Sequence, residues 1–484
     1  MTNTEHIQPN SAVERTPVGA GPTSDGIRTI FIAISGRQQA RNILRTDVLK
    51  TLLAVKNVRV VVLVHTFKLE HFRKEFQLPN LLIEGVDFGN ENISRLDAFF
   101  NTLSLYYVNT TTGRFLKKLW FWHEHRRPLR YLAARATLAF LGNLRPLRTL
   151  ARFLDFKLVK DNRLAAHFKT YHPDLVFAPN VTLSIDRSLI RHAKRFGVQS
   201  AGMVNSWDNI TYAKYPFRIL PDLLMVHNDI IKAEAMRYLD VPESHIFVSG
   251  IPQQDFYTTH KRSTREAFCK RLGIDPVKKI LLFTSQGTVS NETEWQTLQL
   301  FARAFDEGKL PKGLLIIYRQ HPTEKNDLEK IPKHPNIVVD DSKTVLVKGQ
   351  EGFSEILEDD MEHLANSLYH AAVVITTTST ISIDAARFDK PIINMAFDGW
   401  EERPFWRSVR RKFTKHHAHY QHIVHSGGVY IVNTFEEMPA AINRYLEHPE
   451  YEREGRTRIV REQCQFTDGK SGQRIGNALL ERLQ

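Results

Sequence analysis

Cysteine is almost absent from this sequence. Cys269 and Cys464 are the only two cysteines in 484 residues, and neither has a Cys or His partner at the spacing of metal ligands. The sequence therefore indicates neither a disulfide framework nor a zinc site. The scarcity of cysteine also fits a reducing compartment.

The sequence also lacks a long hydrophobic run. No apolar segment reaches the roughly 20 residues of a membrane-spanning helix, and residues 1–27 have no apolar core of the kind found in a signal peptide. These first residues are polar and rich in Thr, Pro, Gly and Ser, which predicts a disordered tail. We therefore expect a cytoplasmic protein without a transmembrane helix.

Acidic residues are scarce in one basic region. From Thr111 to Lys160 the chain has twelve Lys and Arg residues against two acids, a net charge of +10, whereas the whole chain carries +13. Leu, Phe and Trp alternate with the basic residues, and Trp120, Phe121 and Trp122 suit a lipid headgroup boundary. The pattern predicts a basic helical insertion over residues 111–170.

The favoured partner of residues 111–160 is an anionic membrane surface, which makes the protein peripheral to the inner membrane. The alternative is that these helices pack on the domain and leave a basic face in solvent. Nucleic acid is disfavoured because no recognised nucleic-acid module accompanies the positive charge.

Outside the basic region, short β-branched runs alternate with amphipathic helical patterns in two halves of similar length. A chain of 484 residues exceeds the size of a single core. We predict an α/β protein with two doubly wound Rossmann-like domains, over 28–257 and 258–455, that face each other across a cleft. Ligands are then expected at the carboxyl ends of the strands.

Residues 373–395 are the stretch most typical of an anion site. Val373 to Ile375 predict a strand, and the apolar spacing from Ile381 predicts a helix. The helix start would expose unpaired backbone N–H groups, which suits a phosphate; the alternative is an ordinary N-cap. The hydroxyl-bearing candidates for this site are Thr378, Ser379, Thr380 and Ser382.

Two further strand ends carry polar residues. Ser285, Gln286 and Gly287 follow one predicted strand, and Arg319 and His321 follow the next. The ends of parallel strands share one edge of a sheet, so these side chains are expected to meet. Arg319 offers a fork for phosphate oxygens, and His321 is a hydrogen-bond donor or general acid. Taken alone, the arginine also fits a surface ion pair.

Several motifs resemble a known family. RQHP at 319–322, TTTSTISIDAARFDKP at 376–391 and FTDGKSGQRI at 466–475 are similar to elements of the CDP-glycerol glycerophosphotransferase-like and capsule polysaccharide transferases of the GT-B superfamily. SWDNITYAKYPFRILPD at 206–222 and GIPQQDFY at 250–257 also look like elements of bacterial GT-B relatives. The resemblance covers about residues 173–482.

The resemblance implies transfer of a sugar or polyol phosphate from a nucleotide diphosphate donor to a surface polysaccharide or lipid-linked acceptor. It places Arg319, His321, Ser379 and Thr380 on the donor diphosphate, and Asp384 beside the turn or the nucleoside. It also implies a last helix, within 456–484, that returns to the first domain. The donor is a substrate, and no cofactor or metal is expected, because side chains stabilise the charge of the diphosphate.

The chain departs from the family pattern at the acceptor base. Glycerophosphotransferases of this kind typically have a histidine where this chain reads Asn205-Ser206-Trp207-Asp208-Asn209. Asp208 is the candidate base; the alternative is that it only shapes the loop. His65 and His227, at the ends of first-half strands, are weaker candidates, and each is more typical of a structural histidine.

Two other clusters of polar residues in the sequence give little indication of a metal site. The run HHAHYQH at 416–422 lies in a strongly basic segment, which disfavours a cation. A loop on the surface, or one that contacts an anionic acceptor or the membrane, is expected instead. Asp359 and Asp360 are expected at an exposed helix start.

Two other functions remain open from the sequence. The first is a sugar-nucleotide epimerase of the same architecture, which would use the same donor cleft without an acceptor. The second is a non-catalytic basic protein that binds a membrane or nucleic acid.

Overall fold

The computed structural model describes residues 26–87, 94–212, 217–288, 290–322, 324–341, 344–346, 354–356 and 358–483. The predicted tail over 1–27 falls outside the described residues, apart from Gly26 and Ile27.

The first domain is built on a parallel sheet of seven strands. Its order is β3-β2-β1-β4-β5-β6-β7. The inner strands are largely buried on both faces, as expected for a parallel sheet covered by helices, whereas Leu82 in the edge strand β3 is 39% exposed. Their bounds are β1 (Arg28–Ile34), β2 (Val58–His65), β3 (Leu81–Val86), β4 (Leu175–Ala178), β5 (Gln199–Met203), β6 (Leu223–Val226) and β7 (Ile246–Val248).

Ten α-helices accompany the strands of this first sheet in the described residues. Thr46 shows how local sequence sets a boundary: its backbone is extended and its hydroxyl accepts a hydrogen bond from the N–H of Val48, so it caps α2. The helices are α1 (Arg37–Gln39), α2 (Asp47–Leu53), α3 (Leu69–Glu75), α4 (Arg95–Ser104), α5 (Thr111–Lys118), α6 (Pro128–Leu141), α7 (Arg145–Leu158), α8 (Ala165–Tyr171), α9 (Ser184–Phe196) and α10 (Asp229–Glu234).

The second domain is built on a parallel sheet of six strands in the order β10-β9-β8-β13-β14-β15. A separate antiparallel pair, β11 with β12, lies between β10 and β13 in the chain. The strands are β8 (Lys279–Thr284), β9 (Leu314–Arg319), β10 (Ile337–Asp340), β11 (Thr344–Leu346), β12 (Ser354–Ile356), β13 (Val373–Thr376), β14 (Ile392–Met395) and β15 (Tyr430–Val432).

Both sheets have the doubly wound strand order that places ligands at the carboxyl ends of the strands. The predicted α/β class with two Rossmann-like domains is confirmed. The remaining helices are α11 (Phe256–Thr259), α12 (Arg265–Leu272), α13 (Glu294–Asp306), α14 (Glu358–His370), α15 (Ile381–Arg387), α16 (Gln421–Val424), α17 (Met438–Glu447), α18 (Arg453–Ile459) and α19 (Ser471–Glu481).

The last helix, α19, packs on α2 of the first domain. Ile475 and Leu479 are fully buried in the apolar core that covers one face of the first sheet. A Cβ added at Gly476 would lie 2.6 Å from the Cβ of Thr51, so glycine permits the close approach. The chain thus crosses between the domains twice, and Gly472 in the second crossing donates its N–H to Asp255 in the first.

The basic segment forms α5, α6 and α7 between β3 and β4, with a π-helical turn over Leu119–Glu124. Some charged residues of this segment form ion pairs with the rest of the first domain. Arg148 pairs with Asp240 at 2.6 Å, and Asp155 accepts hydrogen bonds from two arginines outside the segment. None of the helices in the described ranges is both long enough and apolar enough to cross a bilayer.

Candidate active site

The polar ends of three strands in the second sheet meet at the cleft between the domains. Ser285, His321 and Ser379 line one cavity of about 240 Å³ together with Arg37 and Arg41, which follow β1 of the first domain. The approach of the loops is close, since a Cβ at Gly287 would lie 3.1 Å from the ring of His321. Gly287 also has a φ of +82°, which glycine adopts without strain.

The ring of His321 is oriented by the backbone. The N–H of Glu324 donates to Nδ1 of His321 at 3.1 Å, so the neutral ring carries its proton on Nε2. Burial lowers the pKa of His321; Arg37 lowers it further, and Glu324 opposes the shift. At neutral pH, His321 is therefore an uncharged imidazole that can donate a hydrogen bond from Nε2.

Arg319 lines the same cavity, but its charge is already paired. Its two terminal nitrogens contact Asp340 at 3.0 Å and Asp360 at 2.7 Å, and the residue is only 6% exposed. The surface ion pair considered from the sequence is therefore wrong. So is the exposed position expected for Asp360, because this carboxylate is buried against the guanidinium.

Behind the first strand end lies a carboxylate that the sequence interpretation missed. Glu294 at the start of α13 is fully buried and accepts hydrogen bonds from the hydroxyls of Ser285 and Tyr318 and from the N–H of Gln286. Burial raises its pKa, and these donors oppose the shift. Because the network holds the backbone after β8, it fixes Gln286, whose amide nitrogen donates to Thr378.

The start of α15 differs from the prediction. The N–H groups of Ile381, Ser382 and Ile383 are bonded to the Ser379 hydroxyl, the Ser379 carbonyl and the Thr380 carbonyl, so they are not available to a phosphate. What this turn presents to the cavity is the side chains of Ser379 and Thr380.

Ser382 does not line the cleft cavities. It is fully buried, and its hydroxyl hydrogen-bonds with that of Tyr420 at 2.8 Å. The candidate donor contact at Ser382 is therefore replaced by a structural one, in which the hydroxyl anchors the helix from behind.

Asp384 faces the first domain. Its carboxylate accepts a hydrogen bond from Gln254 at 3.2 Å, and Arg41 lies close enough to lower its pKa. Burial is the larger effect and raises the pKa of Asp384 to about 6. Asp384 lines both the 240 Å³ cavity and a smaller one of about 50 Å³, so it lies between the two.

A second cavity of about 380 Å³ adjoins the first and shares Ser285, His321, Ser379 and Thr380 with it. Its opposite wall contains Asp208 of the first domain. The carboxylate of Asp208 accepts a hydrogen bond from the Ser206 hydroxyl at 2.6 Å. The structure thus brings both candidate catalytic residues, Asp208 and His321, to one cavity.

The remaining wall of the second cavity is basic. Lys412 donates to the side-chain oxygen of Gln286 at 3.0 Å and to the carbonyl of Ser290 at 2.9 Å. Burial lowers the pKa of Lys412 to about 7, and Arg411 contributes. A negative ligand in this cavity would favour the protonated amine.

The histidine run at 416–422 is not the surface loop that the sequence predicted. His419 is buried, with its ring 5.1 Å from that of Trp207 in the first domain, and Tyr420 is fully buried. The N–H of Ala418 donates to the Thr112 hydroxyl across the domains. The run joins the two domains beside Asp208, because its rings find apolar partners on the opposite wall.

The two other candidate histidines differ in position. His227 lines the 50 Å³ cavity, and burial lowers its pKa to about 4. Its Nε2 is buried and has no hydrogen-bond partner in the described part of the chain. His65 stacks on Phe67 and lines none of the cleft cavities.

In the ranges that the structure describes, no three His, Cys, Asp or Glu side chains form a group that could hold a metal ion. Asp359 pairs with Arg271 at 3.0 Å.

The sequence interpretation missed the first domain's contribution of Arg37 and Arg41 to the cleft. A signal was present: both follow the Ser35-Gly36 turn at the carboxyl end of β1, the position where doubly wound sheets bind ligands. Lys412 had no such signal, because its place depends on how a long irregular loop folds over the cleft.

Solved structures share this fold. The UDP-GlcNAc 2-epimerase from Neisseria meningitidis bound to UDP-GlcNAc is 10% identical, with a TM-score of 0.53 over 94% of this chain and 100% of that chain. A putative UDP-N-acetylglucosamine 2-epimerase from Listeria monocytogenes is 12% identical, with a TM-score of 0.51 over 94% and 96%. At these identities the similarity shows the fold alone, the GT-B arrangement of two Rossmann-like domains.

The wall teichoic acid polymerase TagF aligns over 95% of this chain and 91% of its own, with 11% identity and a TM-score of 0.49. Comparison with curated proteins gave no significant match. Residues 193–481 match the family model for CDP-glycerol:poly(glycerophosphate) glycerophosphotransferase, which is more than half of the chain. The chain therefore belongs to this family of transferases, as the motifs at 319–322, 376–391 and 466–475 indicated.

Proposed function

We propose that this protein transfers a sugar or polyol phosphate from a nucleotide diphosphate donor to a surface polysaccharide or a lipid-linked acceptor. The observation that carries the proposal is the pair of adjoining cleft cavities, in which Ser379, Thr380 and His321 face Arg37, Arg41 and Asp208 across the domains. The family's glycerophosphotransferase description supports transfer from such a donor.

The donor diphosphate would lie in the 240 Å³ cavity. Arg37 and Arg41 supply positive charge from the first domain, and the hydroxyls of Ser379 and Thr380 can donate hydrogen bonds from the second. When a sugar is transferred, its bond to the diphosphate breaks and negative charge grows on the leaving nucleoside diphosphate. When a polyol phosphate is transferred, the bond between the two phosphates breaks and the charge grows on the leaving nucleoside monophosphate. In both cases Nε2 of His321 donates a hydrogen bond to the leaving phosphate. Stabilisation of this charge by preorganised donors is commonly the largest contribution to such catalysis.

In this reaction no metal ion or cofactor is required, since the cleft's own cations oppose the charge of the diphosphate. Arg319 has a supporting part, because Asp340 and Asp360 already bind both of its terminal nitrogens. It holds the end of β9, and hence His321, in position.

The acceptor hydroxyl would enter through the 380 Å³ cavity. Asp208 takes its proton as the acceptor oxygen bonds to the transferred group. Ser206 fixes the carboxylate by donating to one of its oxygens, and the second oxygen remains for the acceptor. Lys412 and Arg411 line the same cavity, where they would attract a negatively charged group of the acceptor.

Calorimetric titration with CDP and with UDP tests the donor site. We expect the wild-type protein to bind at least one of the two, and both His321→Ala and Thr380→Val to bind it about tenfold more weakly, the loss of one good hydrogen bond. Thr457→Val, at an exposed threonine of α18, is the matched control and should bind as the wild type does. If neither CDP nor UDP binds, or if all variants bind the nucleotide equally well, the proposal is contradicted.

A sugar-nucleotide epimerase is the second candidate, because two structural neighbours with TM-scores above 0.5 are named as epimerases. An epimerase would isomerise a UDP-sugar in the absence of any acceptor. We expect incubation with the donor alone to leave its sugar unchanged, as measured by nuclear magnetic resonance. Isomerisation without an acceptor would replace the transferase proposal.

We further propose that α6 and α7 rest on an anionic membrane surface. Leu129 is 80% exposed and Phe140 is 62% exposed, and the apolar side chains of Leu132, Leu150 and Phe153 are also exposed. The alternative, in which these helices leave only a basic face in solvent, does not explain why so much apolar surface is exposed. Arginines lie between these residues, so that a negatively charged bilayer matches both the apolar and the charged character. The cytoplasmic face of the membrane stays a prediction.

A further inference from the structure

A groove with aromatic and basic walls separates α5 from the loop 405–416 of the second domain. Its volume is about 510 Å³, larger than either cleft cavity. One wall carries Arg114, Phe115 and Lys118 of α5; the other carries Trp406, Lys415 and His416. None of the described residues that line the groove is acidic.

The aromatic rings of the two walls are arranged in pairs. The rings of Phe115 and His416 stack with centroids 4.5 Å apart, and those of His123 and Trp406 stack at 5.2 Å. The ring of Trp406 is contacted by His123 and by the guanidinium of Arg407, which lies 4.9 Å from the ring centre, and the residue is partly exposed. Phe405, which also lines the groove, is 49% exposed. The exposed parts of these two rings suit the C–H face of a pyranose ring, as they suit other flat or apolar groups.

The charge in the groove is positive throughout. Lys118 and Lys415 lie on opposite walls and both are exposed. Burial, Lys415 and Lys118 together lower the pKa of His416, which is the expected effect of a local positive field. A ligand with negative charge, such as a phosphate ester, offsets this field.

The groove lies beside the reaction centre. His416 lines the groove, and its neighbour His417 lines the 380 Å³ cavity that contains Asp208. The guanidinium of Arg411, which lines that cavity, lies 5.9 Å from the centre of the Phe115 ring in the groove wall. In the other direction, Tyr131 of α6 joins the groove to the exposed apolar face of that helix.

We propose that this groove binds the acceptor through a saccharide that carries a phosphate or diphosphate group. The saccharide stacks on Trp406, the phosphate lies between Lys118 and Lys415, and the growing end reaches Asp208 in the next cavity. The inference rests on the proposed function and adds where the acceptor lies and what chemistry selects it.

The test uses the full chain and α-D-glucose 1-phosphate as the probe, titrated by calorimetry with CDP present to occupy the donor cleft. We expect the probe to bind more tightly than glucose or inorganic phosphate. Trp406→Ala and Lys415→Ala should each weaken it about tenfold, as expected for loss of one stacking or charged contact. The matched controls are Trp400→Ala and Lys333→Ala, at exposed positions that do not line the groove, and both should leave binding unchanged.

Three outcomes would overturn the proposal. The first is that the probe fails to bind, or binds no better than glucose, while CDP binds normally. The second is equal binding by the groove variants and the controls. The third is that an oligodeoxythymidylate binds more tightly than the probe and loses affinity in the same variants, which would make the groove a nucleic-acid site. If CDP does not bind, UDP replaces it in this titration, and only failure of both nucleotides counts against the donor site, so the two proposals are separable.

Discussion

Arg319 shows how a residue suited to phosphate can be committed to the fold. Both of its terminal nitrogens contact buried carboxylates, those of Asp340 and Asp360. His363 binds the other oxygen of Asp340 at 2.9 Å, so the network extends into α14. Removal of the guanidinium would leave two buried carboxylates without their cation.

We therefore predict that Arg319→Ala lowers the free energy of unfolding by about 3–5 kcal/mol, the typical cost of a broken buried ion pair. Chemical denaturation monitored by circular dichroism measures this. Arg271→Ala is the control, since Arg271 and its partner Asp359 are both partly exposed, and it should cost less than about 1 kcal/mol. A stable Arg319→Ala protein that has lost only nucleotide binding would show that Arg319 acts on the donor instead.

His227 links stability to pH. Burial lowers its pKa to about 4, below the ordinary histidine value of 6.5, so the unfolded chain binds more protons than the native protein between these values. Stability from this residue is present above about pH 6.5 and is lost as the pH falls towards 4, by about 3 kcal/mol in total.

We expect His227→Gln to flatten the dependence of unfolding free energy on pH between 4 and 6.5, measured by denaturant titration at several pH values. His448→Gln, at an exposed histidine, should leave the slope unchanged. An unchanged slope in His227→Gln would show that His227 is not the residue responsible.

At the scale of secondary-structure elements, the local sequence pattern predicted strands and the loops that follow them. It predicted the contacts of individual side chains less well. The strand predicted over Val373 to Ile375 is observed as β13 (Val373–Thr376), because it is a short apolar run that ends at a polar turn. The meeting of the loops after β8, β9 and β13 followed from parallel pairing alone. The prediction of unpaired N–H groups at the start of α15 was wrong, because these groups donate hydrogen bonds to acceptors within the same turn.

Partners that depend on the tertiary fold could not be read from the sequence. Glu294 is nine residues from Ser285, but its role depends on burial next to Tyr318 from another strand. The histidines near 419 appeared exposed because their flanks are basic, and only the opposite domain shows what covers them.

The contact between α19 and α2 gives the element-scale prediction for stability. Gly476→Ala places a methyl group 2.6 Å from the Cβ of Thr51, so one of the helices must shift. We expect a loss of about 1–3 kcal/mol in unfolding free energy, as for an overpacked core. Gly313→Ala is the matched control, because no atom lies within 4 Å of its added Cβ. Equal stability of the two variants would contradict the packing described for α19.

The apolar face of α6 gives the element-scale prediction for membrane contact. Leu129→Ser and Phe140→Ser should each reduce partition onto vesicles that contain phosphatidylglycerol by about tenfold, since each removes roughly 1.5–3 kcal/mol of apolar burial. Sedimentation with vesicles measures the bound fraction. Val277→Ser, at an 87% exposed valine of the second domain, is the control. Equal binding of all three variants would show that α6 does not rest on the membrane.

At the scale of the whole molecule, the cleft depends on both domains. The second domain supplies His321, Ser379 and Thr380, whereas the first supplies Arg37, Arg41 and Asp208. Because the chain crosses twice and α19 packs on α2, the two halves of the site are held together by the fold itself. A change in the relative position of the domains would therefore alter donor and acceptor sites together.

A crystal structure with bound CDP is the most direct measurement of the central claim, that the cleft between the two sheets holds the donor diphosphate. The account predicts the two phosphates within hydrogen-bond distance of His321 and Thr380, with Arg37 or Arg41 on the opposite side. CDP bound outside this cleft, or phosphates turned away from His321, would contradict it.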